Sequence, residues 1–269
     1  MATYRNSGSG DPSPSRRDSD DWLAQIGQTV PEVLLPGYWE NIGNNSATWA
    51  NEVSAGPFWQ TAHAQLDLWR QEYRSEHASD LLSEVGLPKF VGKSAASIKD
   101  KVCRKCKDPE FASVAVDSKG PPVPKISDLV RTRIACRYID GVEFLASKLC
   151  KVAEEMGLGP RRERQGKVEG YFAQHITINQ DVIYRIAGVS RQTKVLCEIQ
   201  LATDFGTRMW DASHSLYERV RGKASTAESW QWTPEDPRFI ANQLGHMIHL
   251  ADGLLMHLRN SGSPSKDSK

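Results

Sequence analysis

At 269 residues, with 34 Lys and Arg against 33 Asp and Glu, the chain can form one large domain or two small ones and has a formal charge of only +1. That balance argues against nonspecific nucleic-acid binding by the whole molecule and leaves only a local basic patch for such a role. Five cysteines, an odd number scattered through regular segments, exclude a disulfide framework. Neither a signal-peptide pattern nor an apolar run of spanning length is present, so the expectation is a soluble, cytoplasmic protein with no membrane partner.

Residues 1–20 are rich in Ser, Gly, Pro, Asp and Arg and read as a disordered tail, since they bury too little to offset ordering entropy. A helical amino-terminal region follows over 21–88: short helices between Trp22 and Trp49, broken near Pro36-Gly37, then a long amphipathic helix from Phe58 to about Leu82. Ser94 is placed to cap a further helix through Ile98 and Val102. Cys103 and Cys106 form a lone C-x-x-C on it, without the second pair that a zinc site needs, and read as packing residues. After the Gly120-Pro121-Pro122 turn, β-prone runs occur near Arg133–Tyr138, Ala173–Tyr184 and Lys194–Leu201, the first two separated by a helix over Val142–Met156. Arg161 to Lys167 reads as a basic loop. Asp204–Arg219 and Pro237–Arg259 read as closing helices, the second with an apolar stripe of Phe239, Ile240, Leu244, Met247, Ile248, Ala251, Leu255 and Leu258. Residues 260–269 form a second polar tail. Helices before, between and after a few strands give an α+β fold, a mixed β-sheet flanked by helices.

Four groups of residues carry chemistry. Lys93, Ser97 and Lys101 stand four apart, on one side of a helix start where ammonium groups and free backbone donors suit phosphates; the alternative is a solvated basic face. Asp128 sits just before an apolar run with Arg131 and Arg133 close by, as a magnesium ligand beside a phosphate-binding Arg or as a turn Asp paired with Arg131. Glu198 and Gln200 alternate to one face of a strand whose other face is Cys197, Ile199 and Leu201. An acid among apolar neighbours in mid-strand needs a partner: a metal shared with Asp128, a hydroxyl to which Glu198 is general base, or an Arg across the sheet. Lys167, Gly170, Tyr171 and His175 combine a charge, a glycine that admits close approach and a stacking ring; a flexible loop with a core Tyr is the plain alternative.

Taken in order, these elements resemble the synthetase domain of the RelA/SpoT family of alarmone pyrophosphokinases. Lys93, Ser97 and Lys101 match its ATP-side spacing, and Asp128 with Arg133 its D-L-x-x-x-R element. Lys167, Gly170, Tyr171 and His175 match its K-x-x-G-Y-x-x-x-H loop, Glu198 and Gln200 its E-I-Q strand, and Trp210, His214 and Tyr217 its following W-x-x-x-H-x-x-Y helix. Val91, Glu169 and Ala202 stand where the family usually has Arg, Asn and a basic residue. The likeness spans roughly Lys89 to Tyr217, which sets a synthetase core at 89–220 and a carboxyl-terminal helical segment at 221–259.

The resemblance implies a nucleotidyltransferase-like fold and transfer of ATP's pyrophosphoryl group to a ribose 3′-hydroxyl, with Asp128 and Glu198 as catalytic acids and Mg2+ ligands. ATP would lie on Lys93, Ser97, Lys101 and Arg133, and the acceptor on Lys167, Gly170, Tyr171, His175 and Gln200. GDP or GTP is the first acceptor to expect. Transfer RNA is the alternative, as in the family's toxin branch, whose loop is similar to Tyr171-Phe172-Ala173-Gln174-His175 and which brings in an antitoxin protein as a partner. A noncatalytic nucleotide- or partner-binding module is a third reading, and a homo-oligomer is compatible with each.

Overall fold

The computed structural model describes residues 16–106, 111, 115–116, 121–166, 170–186, 188–220 and 229–262. Three helices come first: α1 (Arg16–Thr29), α2 (Tyr38–Ser54) and α3 (Pro57–His77). The two-residue strand β1 (Val91–Gly92), α4 (Ala95–Lys105), β2 (Val130–Cys136) and α5 (Ile139–Glu155) follow. Strands β3 (Arg161–Gly166), β4 (Phe172–Ile186) and β5 (Val189–Thr203) then lead into α6 (Asp204–Val220) and α7 (Pro237–Gly262). The strands form one mixed sheet in the order β1-β2-β5-β4-β3, with β2 parallel to β5 and every other pair antiparallel. The fold is α+β, as the element pattern predicts.

Period-two alternation decides which side of the sheet is core. In β2, Val130, Thr132, Ile134 and Cys136 are buried while Arg131 and Arg133 are only partly so. Parallel pairing joins β2 to β5 residue by residue, Arg131 with Glu198 and Arg133 with Gln200, so the polar members of both strands share a face. Ile176, Ile178, Cys197, Ile199 and Leu201 complete the apolar face, against which α5 lays Leu145 and Leu149. A parallel pair needs a long crossover, and α5 begins that connection.

The amino-terminal helices fasten to the far end of the hairpin β4–β5. Asn45 exchanges two hydrogen bonds with the backbone of Arg185, its Nδ2 donating at 2.8 Å and its Oδ1 accepting at 2.8 Å. Trp49, fully buried, donates from Nε1 to the carbonyl of Ile183 at 2.8 Å. At the other end of the molecule, Arg259 of α7 reaches both Asp140 of α5 and Tyr73 of α3, tying three helices together.

Several boundaries differ from the sequence reading. Helix α1 opens at Arg16, inside the expected tail, because Leu23 and Ile26 bury and carry the helix with them. Arg161–Gly166, expected as a loop, is edge strand β3; charged side chains suit a strand whose outer side is unpaired. Of the stripe expected of α7, Ile240, Leu244, Met247, Ala251, Leu255 and Leu258 face outward while Phe239 and Ile248 are half-buried, and the residues that helix buries are Asn242, Gly245 and Asp252. Cys103 and Cys106 lie in the core. Residues 1–15 and 263–269 of the expected tails lie outside the described residues.

Strand β1 passes so near α2 that a Cβ on Gly92 would sit 2.5 Å from the backbone of Ser46 and Ala47. Main chain cannot rotate aside. Gly92→Ala should therefore destabilise the protein by about 1–3 kcal/mol, the range for overpacking, seen as a lower urea midpoint at unchanged slope.

Candidate active site

The residues before and within β2 and β5 build the centre of the site. Asp128, only 5% exposed, ends the approach to β2 and stands between two ammonium groups: Lys93 Nζ is 2.8 Å from its Oδ2 and Lys101 Nζ 2.7 Å from its Oδ1. Both carboxylate oxygens thus carry an ammonium neighbour. Burial works against ionisation of Asp128, but Lys101 and Lys93 outweigh it and bring the carboxyl down to about 2. For Lys93 the balance goes the other way: burial lowers its pKa despite the attraction of Asp128.

Lys93 is held from behind as well as in front. Its backbone N–H donates both to the carbonyl of Leu129, at 2.9 Å, and to Ser46 Oγ, at 2.9 Å, and that hydroxyl donates in turn to Leu129 O at 2.5 Å. Helix α4 then starts as the sequence predicts, with Ser94 as cap accepting from the backbone of Ser97. Nearly two turns of helix, from Ala95, carry Lys101 back to the carboxylate that Lys93 meets. Ser97 Oγ accepts a 3.0 Å hydrogen bond from Ser94 Oγ at the same helix start.

Glu198, 8% exposed, belongs to a second polar chain, on the sheet face it shares with Arg131 and Arg133. His175 Nδ1 is 3.2 Å from its Oε1, and Gln200 donates to its Oε2 at 2.7 Å. His175 Nε2 meets the Tyr171 hydroxyl at 3.0 Å, while Arg133 contacts Gln200 at 3.4 Å and Asp211 of α6 at 2.6 Å. Burial raises the pKa of Glu198 and the charge of Asp128 raises it further, but His175 and Gln200 reverse the sign and leave it below the ordinary carboxylate value.

Tyr171 opens the acceptor side assigned from sequence. Its ring packs on Trp210 at 4.5 Å between centroids, and burial pushes its hydroxyl up to about 12. A cavity of about 810 Å³ lies alongside, bounded among others by Tyr171, Phe172, Trp210, Thr203, His249 and Asp252. Neither Asp128 nor Glu198 is in its wall. Gly170 is required for a reason other than ligand approach: it has φ +78°, and a Cβ there would lie 2.6 Å from the carbonyl of Asn242 in α7.

The structure thus gathers Lys93, Lys101 and Asp128 at one point, and Tyr171, His175, Glu198, Gln200 and Arg133 along one chain. Lys167 and Glu169 lie outside the described residues, as do the side chains of His214 and Tyr217. The basic run divides: Arg162 and Arg164 pair with Glu143 of α5 at 2.6 and 3.0 Å, so they belong to the side that α5 covers. Arg161 shares the register face of Thr177 and Glu198. Sequence reasoning missed Ser46, which lies in no motif, and Asp211, which fills an unspecified position of the W-x-x-x-H-x-x-Y element; the fold brings them to Lys93 and Arg133.

Two carboxylates are the hard oxygen donors that Mg2+ accepts, and this ion is commonly held by one or two carboxylates with substrate phosphates completing its shell. No cluster of three or more His, Cys, Asp or Glu suited to a metal occurs among the described residues, so substrate oxygens would have to complete the shell. The carboxylates of Asp128 and Glu198, with Lys93 and Lys101 beside the first, fit that pattern. Because Asp128 has a depressed folded-state pKa, its stabilisation is whole above the unfolded value of about 3.9 and is lost as pH falls toward about 2. Between about pH 5 and about pH 2.5, urea midpoints should fall less steeply in Asp128→Asn than in the parent; equal slopes would show that the ion pairs do not lower this pKa.

No protein-family model and no curated protein matches the sequence. Solved structures do match in fold. Small alarmone synthetase 1 from Bacillus subtilis bound to its product pppGpp aligns with a TM-score of 0.56 at 17% identity, over 85% of this chain and 100% of that chain. The same synthetase bound to AMPCPP gives 0.50 at 16% identity, over 86% and 100%. A GTP pyrophosphokinase family protein from Streptococcus pneumoniae gives 0.50 at 16% identity, over 83% and 94%. These alignments show that the chain has the fold of the small alarmone synthetases.

Proposed function

We propose that the chain is an ATP-dependent pyrophosphokinase that transfers the β,γ-pyrophosphoryl group of ATP to the 3′-hydroxyl of a guanine nucleotide, GDP or GTP. The observation that carries this reading is the buried Asp128 between Lys93 and Lys101, two residues before β2, with the His175-bound Glu198 on the neighbouring strand β5. A buried acid with two cations and an acid with its own orienting imidazole are the parts that polyphosphate transfer needs. The fold shared with a synthetase described as bound to pppGpp supports the choice of acceptor.

In this reading Lys93 and Lys101 neutralise Asp128 until a polyphosphate arrives, and then turn their ammonium groups to its oxygens, with Ser97 and Arg133 beside them. Asp128 and Glu198 would hold Mg2+, which when bound neutralises charge on the migrating group. Glu198 accepts the proton of the acceptor hydroxyl as the new bond from oxygen to the β-phosphorus forms, the bond between that phosphorus and the α,β-bridging oxygen breaks, and AMP leaves. His175 keeps Glu198 oriented and links it to Tyr171, so the base and the acceptor platform are fixed by one hydrogen-bonded chain. The acceptor's base lies against Tyr171 and Trp210. Lys167, Gly170 and Gln200 complete the acceptor side.

Transfer to RNA is the weaker reading on this geometry, because Arg162 and Arg164 are spent on Glu143. Incubation with γ-labelled ATP and, side by side, GDP, GTP, adenine nucleotides and deacylated transfer RNA tests the assignment. Label on GDP or GTP is expected. Label on transfer RNA alone would replace the acceptor, and no label on any would leave a noncatalytic binding module.

Asp128→Ala and Glu198→Ala should each reduce turnover by at least about a hundredfold, and near-normal rates in both would end the mechanism. Replacing Lys93 or Lys101 by Met should raise the KM for ATP more than that for the acceptor. Loss confined to the acceptor would show the two halves to be reversed.

Tyr171→Ala should weaken acceptor use by about 1–3 kcal/mol of stacking, whereas Tyr171→Phe should keep the stack and lose only the bond to His175. Acceptor kinetics unchanged in Tyr171→Ala would remove the platform.

A further inference from the structure

Helix α7 carries one acid into the cavity beside Tyr171. Asp252 is 3% exposed and stands in the wall of that space, at the end of the sheet where β4 begins and β5 stops. Its Oδ2 accepts from Thr203 Oγ1, which itself accepts from the backbone N–H of Gly206 at 3.0 Å. The threonine's own proton is thereby directed at Asp252. Among the described residues, Oδ1 has no hydrogen-bond partner and neither oxygen has an ion pair. Burial raises the pKa of this carboxyl further than the Thr203 hydroxyl lowers it. An acid so deep and without a cation calls for a donor from whatever fills the cavity.

The remaining wall suits a flat ring. Tyr171 and Trp210 form one part of it, and Phe172 and His249, parallel to within 3° at 3.8 Å between centroids, another. At about 810 Å³ the space is ample for a purine. The catalytic acids are absent from its wall, but Tyr171 bridges the gap, since its hydroxyl meets His175 and His175 meets Glu198. We propose that Asp252 determines the choice of acceptor base, its Oδ1 accepting a hydrogen bond from the exocyclic 2-amino group of guanine. This rests on the guanine-nucleotide reading above, with the base in the cavity and the ribose extending past Tyr171. Adenine and hypoxanthine have only a C–H at that ring position, and xanthine has a carbonyl oxygen, which a carboxylate repels. The residue lies beyond the motif-bearing stretch that ends at Tyr217.

Base preference tests this, because Asp252→Asn keeps an acceptor for Thr203 and sets an amide N–H where Oδ1 stood. The readouts are kcat/KM with ATP and, in turn, GDP, inosine diphosphate and xanthosine diphosphate, and equilibrium dialysis of the same three diphosphates. In the parent, GDP should lead both others by about tenfold or more, the worth of a hydrogen bond to a charged group. In Asp252→Asn the order should invert, with xanthosine diphosphate ahead of GDP, an outcome that a purely structural role of Asp252 would not produce. A variant that keeps GDP first, or loses all three alike, overturns the assignment and leaves the pyrophosphokinase reading in place. So does a parent that takes inosine diphosphate as well as GDP, whatever the variant does. An inverted order in dialysis without transfer of label would sustain the role of Asp252 and remove the pyrophosphokinase reading, and binding of none of the three would remove both.

Discussion

The parallel register of β2 on β5 is the constraint from which the site follows. It sets Arg131 beside Glu198 and Arg133 beside Gln200, and antiparallel pairing of β4 adds Thr177 and His175 to the same rows. A slip of one residue would turn all of these side chains into the core and bring Ile199 and Leu201 out. The apolar half of each strand therefore selects the register, through burial under α5, and the polar half inherits its placement. Packing and chemistry are two readings of one alternation.

The second consequence of that register is electrostatic. Asp128, two residues before β2, and Glu198, on β5, are both buried, and a buried carboxylate without a partner would take up a proton. The chain prevents this with separate escorts, two ammonium groups for Asp128 and an imidazole with an amide for Glu198. Each acid stays ionised by a different device. The division leaves one acid suited to cations and phosphate and the other suited to a hydroxyl proton.

Much of this was legible in the sequence. The β-prone runs near Arg133–Tyr138 and Lys194–Leu201 located β2, which runs Val130–Cys136, and β5, and Ser94 marked the start of α4. What stayed hidden is instructive. Strand β3 has no apolar alternation, because its outer edge is unpaired and its Arg side chains are satisfied by Glu143 far along the chain. The direction in which α7 faces is invisible because periodicity reports a stripe and not what the stripe meets. Ser46 carries no motif, since its contribution is a single hydroxyl delivered by α2. Gly170 was read as an opening for a ligand, whereas its positive φ and its contact with α7 are backbone requirements that precede any ligand.

The hydroxyl of Ser46 links parts of the chain that sequence comparison keeps apart. Every recognisable motif begins at Lys89 or later, yet the main chain at Lys93 is fastened to a helix that ends at Ser54, and Gly92 is bare so that this helix can come near. A fragment trimmed to the motif-bearing stretch would keep all the charged side chains and lose the surface that aims one of them. Domain boundaries drawn from catalytic signatures would cut through the foundation of the site, and substitutions in α2 would register as kinetic defects far from any residue that touches substrate.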